Sequence, residues 1–440
     1  TGSMVDDDSS SQAGPAPLAG LTVIDLGQVL ATPFAGYLLG LLGAEVIKIE
    51  PPGGEWLRRL GGPLGFATQN AGKRSLVVDL RAPAGAETVL RLAERADVFV
   101  EGFAPGTAEA MGIGWEAVSA RNPQVVYGSL SAFGDAGPYG GRPGFDHVVQ
   151  AVSGIMPATG FDGQPPTKVG APFLDYGGGL LLAFGVLAGI LEQRRTGRAV
   201  RLDVTMLDAG LLFNAGALVR AANAGIDPAR TGNDAFSGAA ASGAFETADG
   251  LLMVAANKAS HFGRLMALLG LDDLADDPTL TGSSPDPARV SEIRRRLAER
   301  FLTGPAAEWE RTLSEAGVPA ARVRSMTEVV VEGHPAVRGL LQPVPTRGSA
   351  SPGEDDAQDA ASRVAAEPVE PVGRDTAAVL VPGAGVRIDG AMPGPSGPVP
   401  AAGGSSADIL TRFGFGADEI DRLLSDATVV DATVIGHHRP

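Results

Sequence analysis

Between residues 18 and 222 the apolar positions alternate between two periods. Residues 21–25 form a short run rich in β-branched side chains, which predicts a buried strand. A turn marked by Gly27 and Pro33 follows, and then an apolar helix over residues 34–42 that Gly43 should stop. Residues 46–50 repeat the strand pattern, and Pro51-Pro52-Gly53-Gly54 closes it. A strand, a helix and a second strand in this order form a parallel pair with a right-handed crossover. The pattern continues with a strand at 75–79, an amphipathic helix at 84–96, and strands at 97–101 and 125–130. Strands spaced by helices predict an α/β, doubly wound, Rossmann-like sheet.

Farther along, residues 178–195 read as a long apolar helix, 200–204 as a strand and 206–222 as another helix. A hairpin is expected over 245–257, turning at Asp249-Gly250, with helices at 261–269, 287–302 and 306–316. These define a smaller α+β domain. The expected organisation is a tail over 1–17, a large domain over 18–222 and a small domain over 223–342. Linker segments at 343–405 then return to the large domain, and a helical segment at 406–440 packs on it. Residues 343–371 and 382–405 are rich in Pro, Gly, Ala and Ser, so they should run extended over a surface. There is no internal repeat.

Composition narrows the function. Of 440 residues, 44% are hydrophobic and 20% charged, the balance of a soluble globular protein. The net charge of −16, with no basic stripe, argues against nucleic acid as a partner. The absence of cysteine excludes disulfides, thiolate metal sites and a Cys nucleophile. His147, His261, His334, His437 and His438 show no metal-binding spacing, so no metal is expected. The longest apolar stretch, 177–191, is too short and too Gly-rich to span a bilayer, so no membrane association is expected. Thr1-Gly2-Ser3 ahead of Met4 reads as a tag remnant, and the acidic, Ser-rich segment 5–16 does not read as a signal peptide. A cytoplasmic protein is the expectation.

Four stretches carry a family pattern in order and spacing. The first runs from Pro17-Leu18-Ala19-Gly20-Leu21 through Leu42-Gly43-Ala44-Glu45 to Lys48-Ile49-Glu50. The second is Asn70-Ala71-Gly72-Lys73-Arg74-Ser75, and the third is Val100-Glu101-Gly102-Phe103-Ala104-Pro105-Gly106. The fourth spans Gly144-Phe145-Asp146, Ser153-Gly154, Asp175 and Arg195-Thr196-Gly197-Arg198. Together the chain resembles the class III CoA-transferases, a family that also holds α-methylacyl-CoA racemases. The resemblance covers roughly residues 17–345 and the last helix.

That resemblance implies several roles. Asp175 stands where the family places its carboxylate nucleophile, which attacks a thioester carbonyl, forms a mixed anhydride and expels the CoA thiolate. Read locally, Asp175 is first an N-cap opening an apolar helix, and the family match turns the reading to catalysis. Gly177 and Gly178 would bring backbone N–H groups to the developing oxyanion. Asp146 matches an acidic residue that shapes the acyl pocket, or else it is a loop Asp satisfying backbone N–H groups. Racemases of the family carry a His where this chain has Phe145, and Phe cannot move a proton. His147, two residues on, is the substitute candidate for that chemistry, or an ordinary loop histidine. Gly238 lies in a small-residue loop over 237–243 that could close on the acyl group or simply link domains. Phe145, Met156 and Tyr176 are apolar candidates for the pocket or for core.

For the CoA nucleotide the matching positions are Leu30, Ala31, Lys73, Arg74, Phe103, Gly106 and Arg142. The chain departs from the pattern at Leu30, Pro51, Gly102, Ala110 and Ala199-Val200, where polar or basic groups or Gly-Gln are usual. Arg58, Arg59, Lys73, Arg74 and Arg142 are the cations that could compensate. The family implies an interlocked homodimer. The expected activity is acyl-CoA:carboxylate CoA transfer. The rivals are α-proton exchange on a thioester and a CoA-independent relative acting on a carrier-bound or free acid.

Overall fold

The fold is given by a computed structural model describing residues 14–60, 62–235, 238–275, 286–346 and 378–431. The first thirteen residues of the expected tail, Ser237, most of segment 343–371, His437 and His438 lie outside the described residues.

The chain divides into two compact units. The first holds the described residues up to Ser153, then 170–215 and those from Val330 onward. The second holds 154–169 and 216–329. The boundaries expected at 222 and 342 therefore fall at 215 and 329, and the stretch 154–169 belongs to the second unit. Hydrophobic periodicity marks elements, but it does not say which core an element joins.

In the first unit, β1 (Thr22–Asp25), β2 (Glu45–Glu50), β3 (Arg74–Val78), β4 (Val98–Glu101), β5 (Val126–Ser131) and β6 (Val200–Thr205) are all parallel. Their order is β3-β2-β1-β4-β5-β6, and the short strand Val429–Val430 adds antiparallel to β3. That edge strand was not legible beforehand. It covers an open sheet edge, which would otherwise expose unpaired backbone groups. The central strands β1 and β4 are buried along almost their whole length, as a sheet covered by helices on both sides requires, whereas β6 at the edge exposes Arg201 and Asp203. Ile24, Ile47, Leu76, Val89, Leu92, Phe99 and Ile113 are buried together in one core.

Strand order reverses direction between β1 and β4. Loops leaving the carboxyl ends of neighbouring strands diverge at such a point and leave a crevice for a ligand. Gly102, after β4, lies close against the start of helix Ala31–Leu41: a Cβ added at it would stand 2.5 Å from Thr32 Oγ1.

Helix Ala31–Leu41 starts three residues earlier than expected, with Pro33 tolerated in its first turn, and Gly43 ends it at φ 99°. The expected helix 206–222 is two helices, Met206–Phe213 and Ala215–Ala224, broken at Asn214. Thr205 caps the first by accepting from Asp208 N–H at 2.8 Å. The linker region also departs from expectation. Leu341–Pro345 and Ala378–Pro382 pair antiparallel, and Val344, Val379 and Val381 pack against Tyr37, Leu41 and Ala67. Five-residue strands with Pro at their ends do not stand out within a Pro/Gly-rich composition.

The helix expected over 178–195 spans Phe173–Thr196, which is long and apolar enough by length and composition to cross a membrane. Half of its apolar window is buried within the protein, where it packs on helix Ala31–Leu41 and on β5 and β6.

The second unit is α+β. β7 (Ser242–Glu246), β8 (Leu251–Ala255) and β9 (Ala320–Arg322) form an antiparallel sheet. Phe245, Phe262, Leu265, Leu297, Phe301 and Leu313 form its core with helices Ala259–Leu269, Pro287–Phe301 and Ala306–Glu315. The hairpin turn over Asp249-Gly250 falls where the sequence put it, and Asp249 Oδ1 also accepts from Ala306 N–H at 2.7 Å.

Candidate active site

The site is built at the start of helix Phe173–Thr196. Gly177, Gly178 and Gly179 let this helix lie tight against its neighbours. A Cβ at Gly179 would stand 2.4 Å from Ala31 O, and one at Gly177 would stand 2.4 Å from Phe213 Cε2. The expected oxyanion role for Gly177 and Gly178 fails here. Both lie inside the continuous helix, where their N–H groups bond the preceding turn. Their job is close packing.

Asp175 sits in the first helical turn, so it is not the N-cap; Pro172 holds that place without a side-chain cap. The exposed N–H groups of this turn find a partner elsewhere in the fold. Asp146 Oδ2 accepts from Leu174 N–H at 2.7 Å and lies 3.4 Å from Asp175 N. Asp146 Oδ1 accepts from Gln150 Nε2 at 2.6 Å. Asp146 opens helix Asp146–Val152 with its side chain buried. It therefore caps a helix 29 residues away in sequence, a role that no local pattern could show.

The Asp175 carboxyl receives no hydrogen bond from any other described residue. Burial, and next the negative charge of Asp146, push its pKa up to about 7. A carboxyl poised at neutrality, partly buried and free of partners is equipped to attack. Aromatic rings flank it along the helix. Phe173 packs on Phe213 at 4.8 Å and Tyr176 edges onto Phe34 at 4.9 Å. Gln69 Nε2 donates to the Tyr176 hydroxyl at 3.1 Å. Sequence reasoning missed Gln69 because nothing near it in the chain marks it.

Other expected site residues fall elsewhere. His147 is exposed on its helix, its ring parallel to that of Phe145, which is 68% exposed. Neither is buried with Asp146. Met156 and Gly238 belong to the second unit, with Gly238 in a left-handed turn at φ 68°.

Lys73 cannot serve a nucleotide. An ammonium has three donors, and all of these are engaged: Asp25 Oδ2 at 2.7 Å, Pro33 O at 2.8 Å and Asn70 Oδ1 at 2.9 Å. Burial and nearby Lys48 outweigh Asp25 and bring its pKa down to about 8. Arg74 pairs with Glu45 and Asp408. Arg58 grips Glu50 through two nitrogens and Pro400 O through a third. Arg59 and Arg142 form no ion pair among the described residues, and Arg142 lies over the Tyr139 ring at 5.1 Å.

Leu30 and Ala31 lie on the loop and helix start after β1, and Phe103 and Gly106 on the loop after β4, at the switch point. Gly106 borders a cavity of about 530 Å³ with Glu101, Glu109, Asp135, Arg201 and Asp203. A larger cavity of about 980 Å³ opens at the amino ends of β2 and β3, beside residues 396–401. Asp175 lines neither, so cavity size does not select the site.

The description "CoA-transferase family III" matches residues 18–371. The chain belongs to this family. It is 35% identical to the acetyl-CoA:oxalate CoA-transferase of Acetobacter aceti, over 74% of this chain and 85% of that one. Identity to the succinyl-CoA:mesaconate CoA-transferase of Haloarcula hispanica is 32%, over 92% of this chain and 98% of that one. Among solved structures, a CaiB/BaiF family protein from Brucella suis superposes with a TM-score of 0.75 at 28% identity, covering 91% of this chain and all of that one. The protein is thus a family III CoA-transferase, and CoA thioester substrates fit it. Among the described residues no group of His, Asp and Glu could hold a metal ion.

Proposed function

We propose that this enzyme moves CoA from an acyl-CoA to a free carboxylate through an acyl anhydride on Asp175. The observation that carries the proposal is the unpartnered, half-buried Asp175 carboxyl beside Asp146, with its pKa near 7. In the first step an Asp175 oxygen attacks the thioester carbonyl, the C–S bond breaks and CoA leaves as its thiolate. The thiolate attacks the Asp175 carbonyl, which releases the donor acid and leaves an aspartyl thioester. The acceptor carboxylate attacks that thioester and frees the thiolate again. Thiolate attack on the acceptor acyl carbon then forms the new acyl-CoA and restores Asp175.

The relatives act on oxalate and mesaconate. A short dicarboxylate is accordingly the acceptor class we propose. The trapping experiment uses acetyl-CoA or succinyl-CoA as donor and hydroxylamine as trap. A hydroxamate on the Asp175 peptide is the expected mass shift; an unmodified peptide with every active donor overturns the anhydride.

One observation favours a second reading for the donor. Arg58, Lys73 and Arg74 are engaged inside the protein. A carrier-protein thioester would need fewer nucleotide contacts than free CoA. Calorimetric titration separates the two: micromolar binding of free CoA removes the carrier reading.

We also propose a homodimer. Leu180, Phe184 and Leu191 form an exposed apolar stripe on helix Phe173–Thr196, at 54%, 67% and 68% exposure, and a second copy would cover it. Light scattering giving a monomer mass would exclude this.

A further inference from the structure

Val29 has φ 66°. For a β-branched residue that is a true outlier, kept only where the surroundings over-determine it. Asp389 and Ala427 are the other non-glycine residues of positive φ among those described, and neither is β-branched.

The surroundings here are a buried set of charges. Val29 N–H donates to Glu55 Oε1 at 2.6 Å. Glu55 is fully buried and pairs with Lys48 at 2.7 Å, and Lys48 donates to Gly27 O at 2.8 Å. From the other side, Asp25 Oδ1 accepts from Gly27 N–H at 2.8 Å while Asp25 Oδ2 binds Lys73. Three buried side chains, Glu55, Lys48 and Asp25, thus pin two backbone positions of one short loop, with Lys73 held behind Asp25. That loop joins β1 to helix Ala31–Leu41 at the switch point of the sheet. A connection serving only to turn the chain could place glycine at position 29 without strain.

We infer that Glu55, backed by Lys48, is a positioning residue that presets the loop Gly27–Leu30 to receive CoA. The inference rests on the proposed function, because it takes that loop as the CoA contact.

Titration calorimetry with free CoA on the full chain, alongside thermal melts, tests it. Val29→Gly relieves the strain and frees the loop. It should weaken CoA binding roughly fivefold while keeping the melting temperature, because a glycine must be ordered where valine was already held. Glu55→Gln should weaken binding at least as much and also lower the melting temperature, since Lys48 loses its buried partner. Val29→Gly binding CoA as tightly as the wild type would overturn this inference alone. A wild-type chain that fails to bind CoA overturns it together with the acyl-CoA reading of the donor, and leaves the carrier reading. Should Glu55→Gln not fold, Val29→Gly carries the test.

Discussion

Two clusters of buried charge lie in the same unit and differ in one respect. Around Asp25, Lys48, Glu55 and Lys73, opposite charges meet within 2.7 Å and every ammonium donor of Lys73 is engaged. Around Asp175 the nearest charge is another carboxylate, and no donor comes to its own oxygens. The first cluster holds backbone in place. The second keeps a group whose protonation and bonding remain open. In sequence both are scattered charged residues, and the distinction lies in whether partners of opposite sign are supplied.

Removing the open group sharpens the contrast most. Asp175→Asn should lower CoA transfer by ~10⁴-fold or more, as loss of a covalent nucleophile does. The same substitution should stabilise the fold. Asp175 titrates near 7 when folded, above an ordinary carboxyl. The folded state therefore holds this proton more tightly, and stability falls as pH rises from about 4 to 7. Above pH 7 the full penalty remains, so Asp175→Asn should gain ~1–2 kcal/mol at pH 8, discounting for partial exposure, and little at pH 4. Urea unfolding at the two pH values checks this; equal effects would break the comparison.

Removing a partner from the closed cluster should do the reverse. Lys73→Met leaves Asp25 buried without its cation and should cost ~3–5 kcal/mol. A urea midpoint close to that of the wild type would show that the pair is replaceable.

The smallest expected effect tests the link between Asp146 and Asp175. Asp146→Asn keeps an oxygen for Leu174 N–H but removes the negative charge. The midpoint of the rising pH profile for Asp175 acylation should fall by ~0.5–1 unit from its value near 7. An unmoved midpoint would leave burial as the whole cause.

Much of the fold was legible from the chain. The six parallel strands, the stop at Gly43 and the Asp249-Gly250 hairpin are short-range patterns, in which each residue reports on neighbours within one turn or one strand. Lys73 shows the limit. Its place in Asn70-Ala71-Gly72-Lys73-Arg74 suggested a ligand contact, but its three bonds reach Asp25, Pro33 and Asn70, the first two more than one element away. Gly177 and Gly178 show it again: a glycine run reads equally as a free backbone and as close packing, and only Phe213 and Met206 nearby decide.

By itself the sequence determined the alternating elements and the family, and it marked Asp175 as the candidate nucleophile, because periodicity and motif order are properties of the chain. Tertiary structure alone decided which charges are engaged, where the units divide and what caps the helix of Asp175. Those depend on side chains that meet across tens of residues, in surroundings whose polarity no local pattern encodes.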